Sequence, residues 1–269
     1  MPFLIVLSET FRWRLRIEKL EMDKNTSNDN DTIIRLMQDV GLGMDTPICQ
    51  YMNLDFLIAL LKTGEYYVNK KIIYRDKREK SLPCKLVFSE FTIPDGQISP
   101  DQIERSKMRH ETIRQFENVS PYLLTSCWTE RVSENALMWD RDGVKHKACI
   151  KSTIGRFASA ISCSELIIWC GKMIYEPIFP VLMSDDIIWY KQPYFSDERE
   201  IRFYFSKEIH RVTPDDGILN HRSFPVDRQN LIQEIVLSPY IEKSDAERLK
   251  ENFEKEYNIP TTISKIEIS

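Results

Sequence analysis

The chain has 269 residues, 42% hydrophobic and 11% aromatic, with 37 basic against 41 acidic side chains and a net charge of −4. That length can bury a substantial core, and the charge balance excludes a general attraction to nucleic acid or to an anionic membrane surface. Eight glycines exclude a glycine-rich phosphate-binding architecture, and no run approaches the roughly eighteen apolar residues of a membrane span.

The opening MPFLIVLSETFRWR has a short apolar run with no basic region before it, closed by Glu9 and Arg12, unlike a signal peptide. Residues 25–32 (NTSNDNDT) are polar and turn-rich. Residues 1–31 are therefore expected to be an appendage, with Met22 an alternative start, and residues 32–269 a single domain. Residues 48–51 are extended, and Asn53 caps a helix whose Leu54, Leu57, Ile58 and Leu61 keep three-four spacing until Gly64. A strand over 65–69 (EYYVN) follows, then a basic run from Lys70 to Lys80 that reads as a solvated loop.

Ser99-Pro100 with Gln102 opens a mostly charged helix over 99–116, suited to a surface or a lid. Strands are expected at 122–128, 147–152, 166–175, 187–190, 199–205, 234–237 and 261–268, with short helices at 135–139 and after Ser152. Ser244 with Glu247 marks a capping box for a helix reaching Tyr257. The irregular alternation predicts an α+β fold, a single domain with a mixed, mostly antiparallel sheet flanked by helices.

Six cysteines show no C-x-x-C pair, and His110, His146, His210 and His221 lie at no finger spacing from them. Buried reduced thiols in a cytoplasmic protein, with no metal site, are expected.

Four blocks of the sequence resemble the bacterial family known as domain of unknown function 2971. They are Tyr51-Met52 with Gly64 to Val68; Ser126-Cys127-Trp128 with Glu134 to Trp139 and Ala148 to Thr153; Lys191 with Phe195 to Arg202; and Val226-Asp227 through Leu231-Ile232 to Ser238-Pro239. YRDKREK at 74–80 departs from the family's loop. The resemblance implies a fold neighbourhood and no reaction.

Two segments carry candidate chemistry. Within 126–157, Trp128 and Trp139 flank a polar turn, making either a core corner or a pocket wall. At 198–202, strand alternation sends Glu198, Glu200 and Arg202 to one face, which is costly unless partners or a ligand meet them. An edge-strand ion-pair ladder is the plain reading. The layout also resembles ADP-ribosyltransferases, whose late strand-start glutamate stabilises an oxocarbenium-like transition state.

On that resemblance Glu200 is the stabiliser, Glu198 an orienting base, and Lys191 or Arg202 the phosphate partner. Tyr51, Tyr67, Trp128 and Trp139 line the pocket, with NAD the candidate substrate. The expected partner is a small nucleotide-like ligand, with no membrane and with nucleic acid standing as a lesser alternative, in a toxin or phage-defence setting. A non-catalytic sensing module and a magnesium nuclease using Asp140, Asp142, Glu198 and Glu200 are the alternatives. Ser126, Cys127 or Ser133 with His146, and a phosphate site at Lys151 to Thr153, are lesser candidates.

Overall fold

The computed structural model describes residues 33–36, 41–70, 107, 124–130, 133–140, 143–163, 167–175, 189, 191, 193–206 and 221–267. The expected appendage at 1–31 and the basic run beyond Lys70 lie outside these residues. So does the expected lid helix at 99–116, apart from Lys107.

Strand β1 (Ile33–Leu36) precedes β2 (Pro47–Asn53), which runs directly into α1 (Leu54–Thr63). The Asn53 side chain accepts the Asp55 N–H at 3.0 Å, satisfying one of the donors left open at a helix start. Gly64 ends α1 in the left-handed conformation, φ 71°, its N–H donating to the Leu60 carbonyl. Strands β3 (Glu65–Lys70) and β4 (Leu124–Thr129), helix α2 (Ala136–Asp140) and strand β5 (Lys147–Thr153) follow. Thr153 caps α3 (Ile154–Ala160) by accepting the Arg156 N–H.

After β6 (Ile167–Lys172), a 3-10 turn at Pro193–Glu198 leads into β7 (Glu200–Ser206). The chain closes with β8 (His221–Pro225), α4 (Arg228–Leu231), β9 (Glu234–Leu237), α5 (Lys243–Tyr257) and β10 (Thr261–Ile263). The expected capping box does not form: α5 starts at Lys243 behind Glu242, and the Ser244 hydroxyl donates to the Glu242 carboxylate.

The strands form one sheet in the order β1-β6-β7-β4-β2-β5-β9-β10, with β3 paired to β4 and to β8. Only β1/β6 and β9/β10 are parallel among the described pairs; the rest are antiparallel. The fold is thus α+β with a mixed, mostly antiparallel sheet and flanking helices.

Residues opposite one another in an antiparallel pair share a face, so the register sorts the side chains. One face carries Ile48, Trp128, Ile150, Ile201, Phe203 and Ile235, and α1, α3, α4 and α5 cover it with Leu57, Phe157, Leu231 and Phe253. Phe157 is the hub, with ring centroids 5.6 Å from Trp128 and 4.3 Å from Phe203. The opposite face carries two smaller apolar clusters. Trp169, Trp189 and Tyr204 lie toward the β6 side, and Cys49, Cys149, Val236 and Trp139 toward the β9 side. Charged side chains stand beside the first.

Candidate functional site

The charged cluster forms where β7 begins. Glu200 and Arg202 point to the face opposite the main core, because Ile201 between them pairs with Trp128 and is buried against it. Strand alternation places these two side chains as the sequence suggests. Glu198 arrives by another route, since it ends the 3-10 turn rather than starting the strand. Arg199, at φ 43°, turns the chain in between. The Thr129 hydroxyl donates to the Glu198 carbonyl at 2.7 Å, and the Glu130 N–H donates to the Arg199 carbonyl at 3.1 Å. The kink is therefore pinned to β4 on both sides.

Lys191 enters from a separate segment. Ile174 donates its N–H to the Trp189 carbonyl at 2.7 Å and accepts the Lys191 N–H at 3.0 Å, which lays this segment beside the end of β6. The Lys191 ammonium donates to Glu198 at 2.7 Å and to Glu200 at 2.8 Å. It also lies 4.6 Å from the Phe195 ring centroid. The other Glu200 oxygen accepts from Arg202 Nε, and Arg202 Nη1 reaches the Tyr204 hydroxyl at 3.4 Å. The Tyr175 hydroxyl accepts the Glu200 N–H at 2.9 Å. Gly171 stands opposite Arg202 in the register.

Two carboxylates and two cations balance in charge, which is what lets them lie this deep. Glu200 and Lys191 side chains are 3% exposed, Arg202 1%, and Glu198 13%. Glu198 is the solvent edge of the cluster. Burial pushes the Glu200 carboxyl up, but Arg202 and Lys191 outweigh it and hold the group below the usual carboxylate range. Burial raises the Tyr175 and Tyr204 phenols, so both stay protonated. Strand β7 lies between β6 and β4 and is no edge strand.

The other candidate residues separate by face. Tyr51 shares the Glu200 face through the register Cys49–Thr129–Glu200, two strands away across β4. Its ring packs edge-on against Trp139 at 4.7 Å, and its hydroxyl accepts the Asn135 N–H at 3.2 Å. Trp139 is 1% exposed and donates to Glu134, so it supports Tyr51 and presents little surface of its own. Tyr67 on β3 is 51% exposed. Trp128 stands on the opposite face, buried in the aromatic core, its indole N–H donating to Ser126 at 2.9 Å. The structure brings Glu198, Glu200, Lys191 and Arg202 together, puts Tyr51 on their face, and separates Trp128 from them. The sequence does not single out Tyr175 or Trp189. Lying far along the chain from β4, they carry no local signal beyond an aromatic at a strand end.

The lesser candidates are occupied by structure. Ser126 sits among Tyr66 (2.5 Å), Gln50 and Trp128, and His146 is an exposed residue in the turn before β5. Lys151 pairs with Glu234 at 3.0 Å, Ser152 donates to the Leu231 carbonyl, and Thr153 caps α3. Asp140 accepts from Tyr240 and Asp142 lies outside the described residues. Among the described residues no group of three or more His, Cys, Asp or Glu is placed to hold a metal ion. No helix among them is long and apolar enough to cross a membrane.

No family model matches the chain. That overturns the resemblance to the domain of unknown function 2971 family. The blocks that suggested it hold strand, core and cap residues, such as Trp128, Ile150 and the α4 cap Asp227, and such residues recur in unrelated α+β sheets. No curated protein matches either. One solved structure similar to this chain is that of Thermus sp. 2.9 DarT in complex with ADP-ribosylated ssDNA. It is 10% identical, with 83% of this chain and 96% of that chain covered and a TM-score of 0.35, a likeness too slight to transfer a function.

Proposed function

We propose that the chain binds a nucleotide-like anion on its charged face and cleaves the nicotinamide–ribose bond of NAD, transferring ADP-ribose to an acceptor or to water. The carboxylate pair carries this reading: Glu198 and Glu200 converge on one ammonium in a largely water-free wall, with Glu198 at the open edge. Departure of nicotinamide leaves positive charge on the anomeric carbon and ring oxygen of the ribose. An ionised carboxylate already fixed beside that charge stabilises it without reorganisation. Arg202 and Lys191 keep Glu200 in the required ionised form.

Glu198 meets the ligand first, orienting the ribose hydroxyls and taking the acceptor's proton. Lys191 supplies the charge for the diphosphate, while Arg202 stays with Glu200. Tyr51 and Tyr67, on the same side of the sheet, are the aromatic surfaces for the nicotinamide ring, and Trp139 serves by holding Tyr51. Trp128 belongs to the core and has no part in the site. The five described cysteines are all free thiols, in keeping with a cytosolic setting.

The test is nicotinamide release from NAD by pure protein. Glu198→Gln keeps the shape of the open edge but removes the base, and should lower the rate by about a hundredfold or more, the usual effect of losing a general base. Release at the wild-type rate by this variant sinks the assignment.

One observation favours a second reading, a module that binds the same ligand without turning it over. Both oxygens of Glu200 are already engaged, by Lys191 and Arg202. Thermal stabilisation by nucleotides with no product from any of them would select it.

A further inference from the structure

The Lys191 ammonium closes off the two groups that the proposed chemistry needs. We propose that Lys191 is an exchangeable counter-ion: it masks Glu198 and Glu200 in the free protein, and a ligand's diphosphate takes it over, freeing the carboxylates for the adjoining ribose. The inference rests on the charged face being the ligand site, and it specifies which ligands open that site.

Two features of the cluster support it. The Lys191 backbone is fixed by Ile174, and its ammonium reaches Glu198, the more exposed of the two carboxylates at 13%, so that contact lies at the edge of the cluster from which a ligand would approach. Glu200, by contrast, keeps Arg202 when Lys191 leaves, so one buried carboxylate retains a cation throughout. The second feature is Arg199, which holds a left-handed conformation unfavourable for any residue with a side chain. It lies between the two carboxylates that share the ammonium, and β4 pins it in place. Backbone strain persists where the surroundings over-determine it, typically where a function needs the geometry.

Charge then selects the ligand. An ammonium released to water would leave Glu198 and Glu200 without the cation they share, a costly arrangement in a buried site. An ammonium transferred to a phosphate exchanges one set of charge-assisted hydrogen bonds for another of equal or greater strength. Diphosphate-bearing ligands should therefore open the site, and nucleosides or nicotinamide riboside should not.

Calorimetry with inorganic pyrophosphate, alongside carbon-13 NMR of protein labelled at the glutamate carboxyl carbons, tests the exchange. Pyrophosphate should bind and shift the Glu198 and Glu200 resonances together, whereas adenosine should shift neither. In Lys191→Gln, pyrophosphate binding should be lost and the two resonances should already lie near their ligand-bound positions. In Glu198→Gln, which keeps all of the buried groups, pyrophosphate should bind about tenfold more tightly because one competitor for the ammonium is gone. Resonances unmoved by saturating pyrophosphate, undiminished binding to Lys191→Gln, or unchanged or weaker binding to Glu198→Gln would each overturn the proposal. Nicotinamide release is scored separately. A pyrophosphate response without release from NAD removes the transferase reading and keeps the exchange; release without that response does the reverse.

Discussion

The two faces of the sheet begin from the same backbone and end with opposite chemistry. On β7, Ile201 and Phe203 enter a core of aromatic and aliphatic side chains, while Glu200 and Arg202, one step along, enter a cluster of paired charges. On β4, Trp128 joins the first and Thr129 the second. The apolar face is held by area removed from water, which tolerates many substitutions of similar volume. The charged face holds because its charges cancel, so it tolerates only changes made in balance. A fold that needed only stability would be served as well or better by apolar side chains at these positions.

Single replacements should show the contrast first. Trp128→Ala leaves a cavity and should cost about 3–5 kcal/mol of unfolding free energy. Glu200→Gln leaves two buried cations short of a partner and should also cost about 3–5 kcal/mol. Denaturant midpoints measure both. The two faces then part company under compensation. Replacing Glu200 and Arg202 together by methionine should recover most of the Glu200→Gln loss, because one carboxylate and one cation leave together and Lys191 keeps Glu198. A double variant less stable than Glu200→Gln would break the comparison.

The next effect is on acid stability. The folded Glu200 carboxyl sits below its unfolded value, so its contribution is complete above the ordinary glutamate pKa, about 4.3, and is lost as pH falls below it toward the lower folded value. The stability gap between wild type and Glu200→Gln should therefore narrow on acidification from about pH 6 to about pH 3. The gap between wild type and Trp128→Ala should stay nearly constant over that range.

Smaller still is Tyr66→Phe on the apolar face. It removes a hydroxyl bonded to Gln50 at 2.8 Å and to Ser126 at 2.5 Å, and should cost about 1–2 kcal/mol. The smallest is Lys151→Met. Its bridge to Glu234 joins side chains that are 28% and 30% exposed, and its loss should cost under about 1 kcal/mol. A larger loss there would show that partly exposed ion pairs on this sheet act like the buried one.

The sequence shows β2, α1 and β3 clearly, because Asn53 and Gly64 are local signals whose geometry needs no distant partner. It also shows that Glu200 and Arg202 share a face, since alternation within one strand is local too. What it hides is which face that is relative to Trp128. That depends on Ile201 lying opposite Trp128, a pairing across more than seventy residues that no window of sequence contains. Glu198 comes to the cluster through the left-handed Arg199, a residue type that carries no turn signal. Strand β1, strand β8 and the single turn of α4 are too short for their periodicity to stand out. The motif blocks misled about family for a related reason: core and cap residues report that a sheet is packed, without reporting its ancestry.

The central claim is that the charged face, and not the tryptophan core, acts on NAD. Nicotinamide release measured side by side for wild type, Glu198→Gln and Tyr66→Phe tests it most directly. The account predicts release by wild type and by Tyr66→Phe at similar rates, with a loss of about a hundredfold or more in Glu198→Gln. Equal release by wild type and Glu198→Gln, or none from wild type, would contradict it.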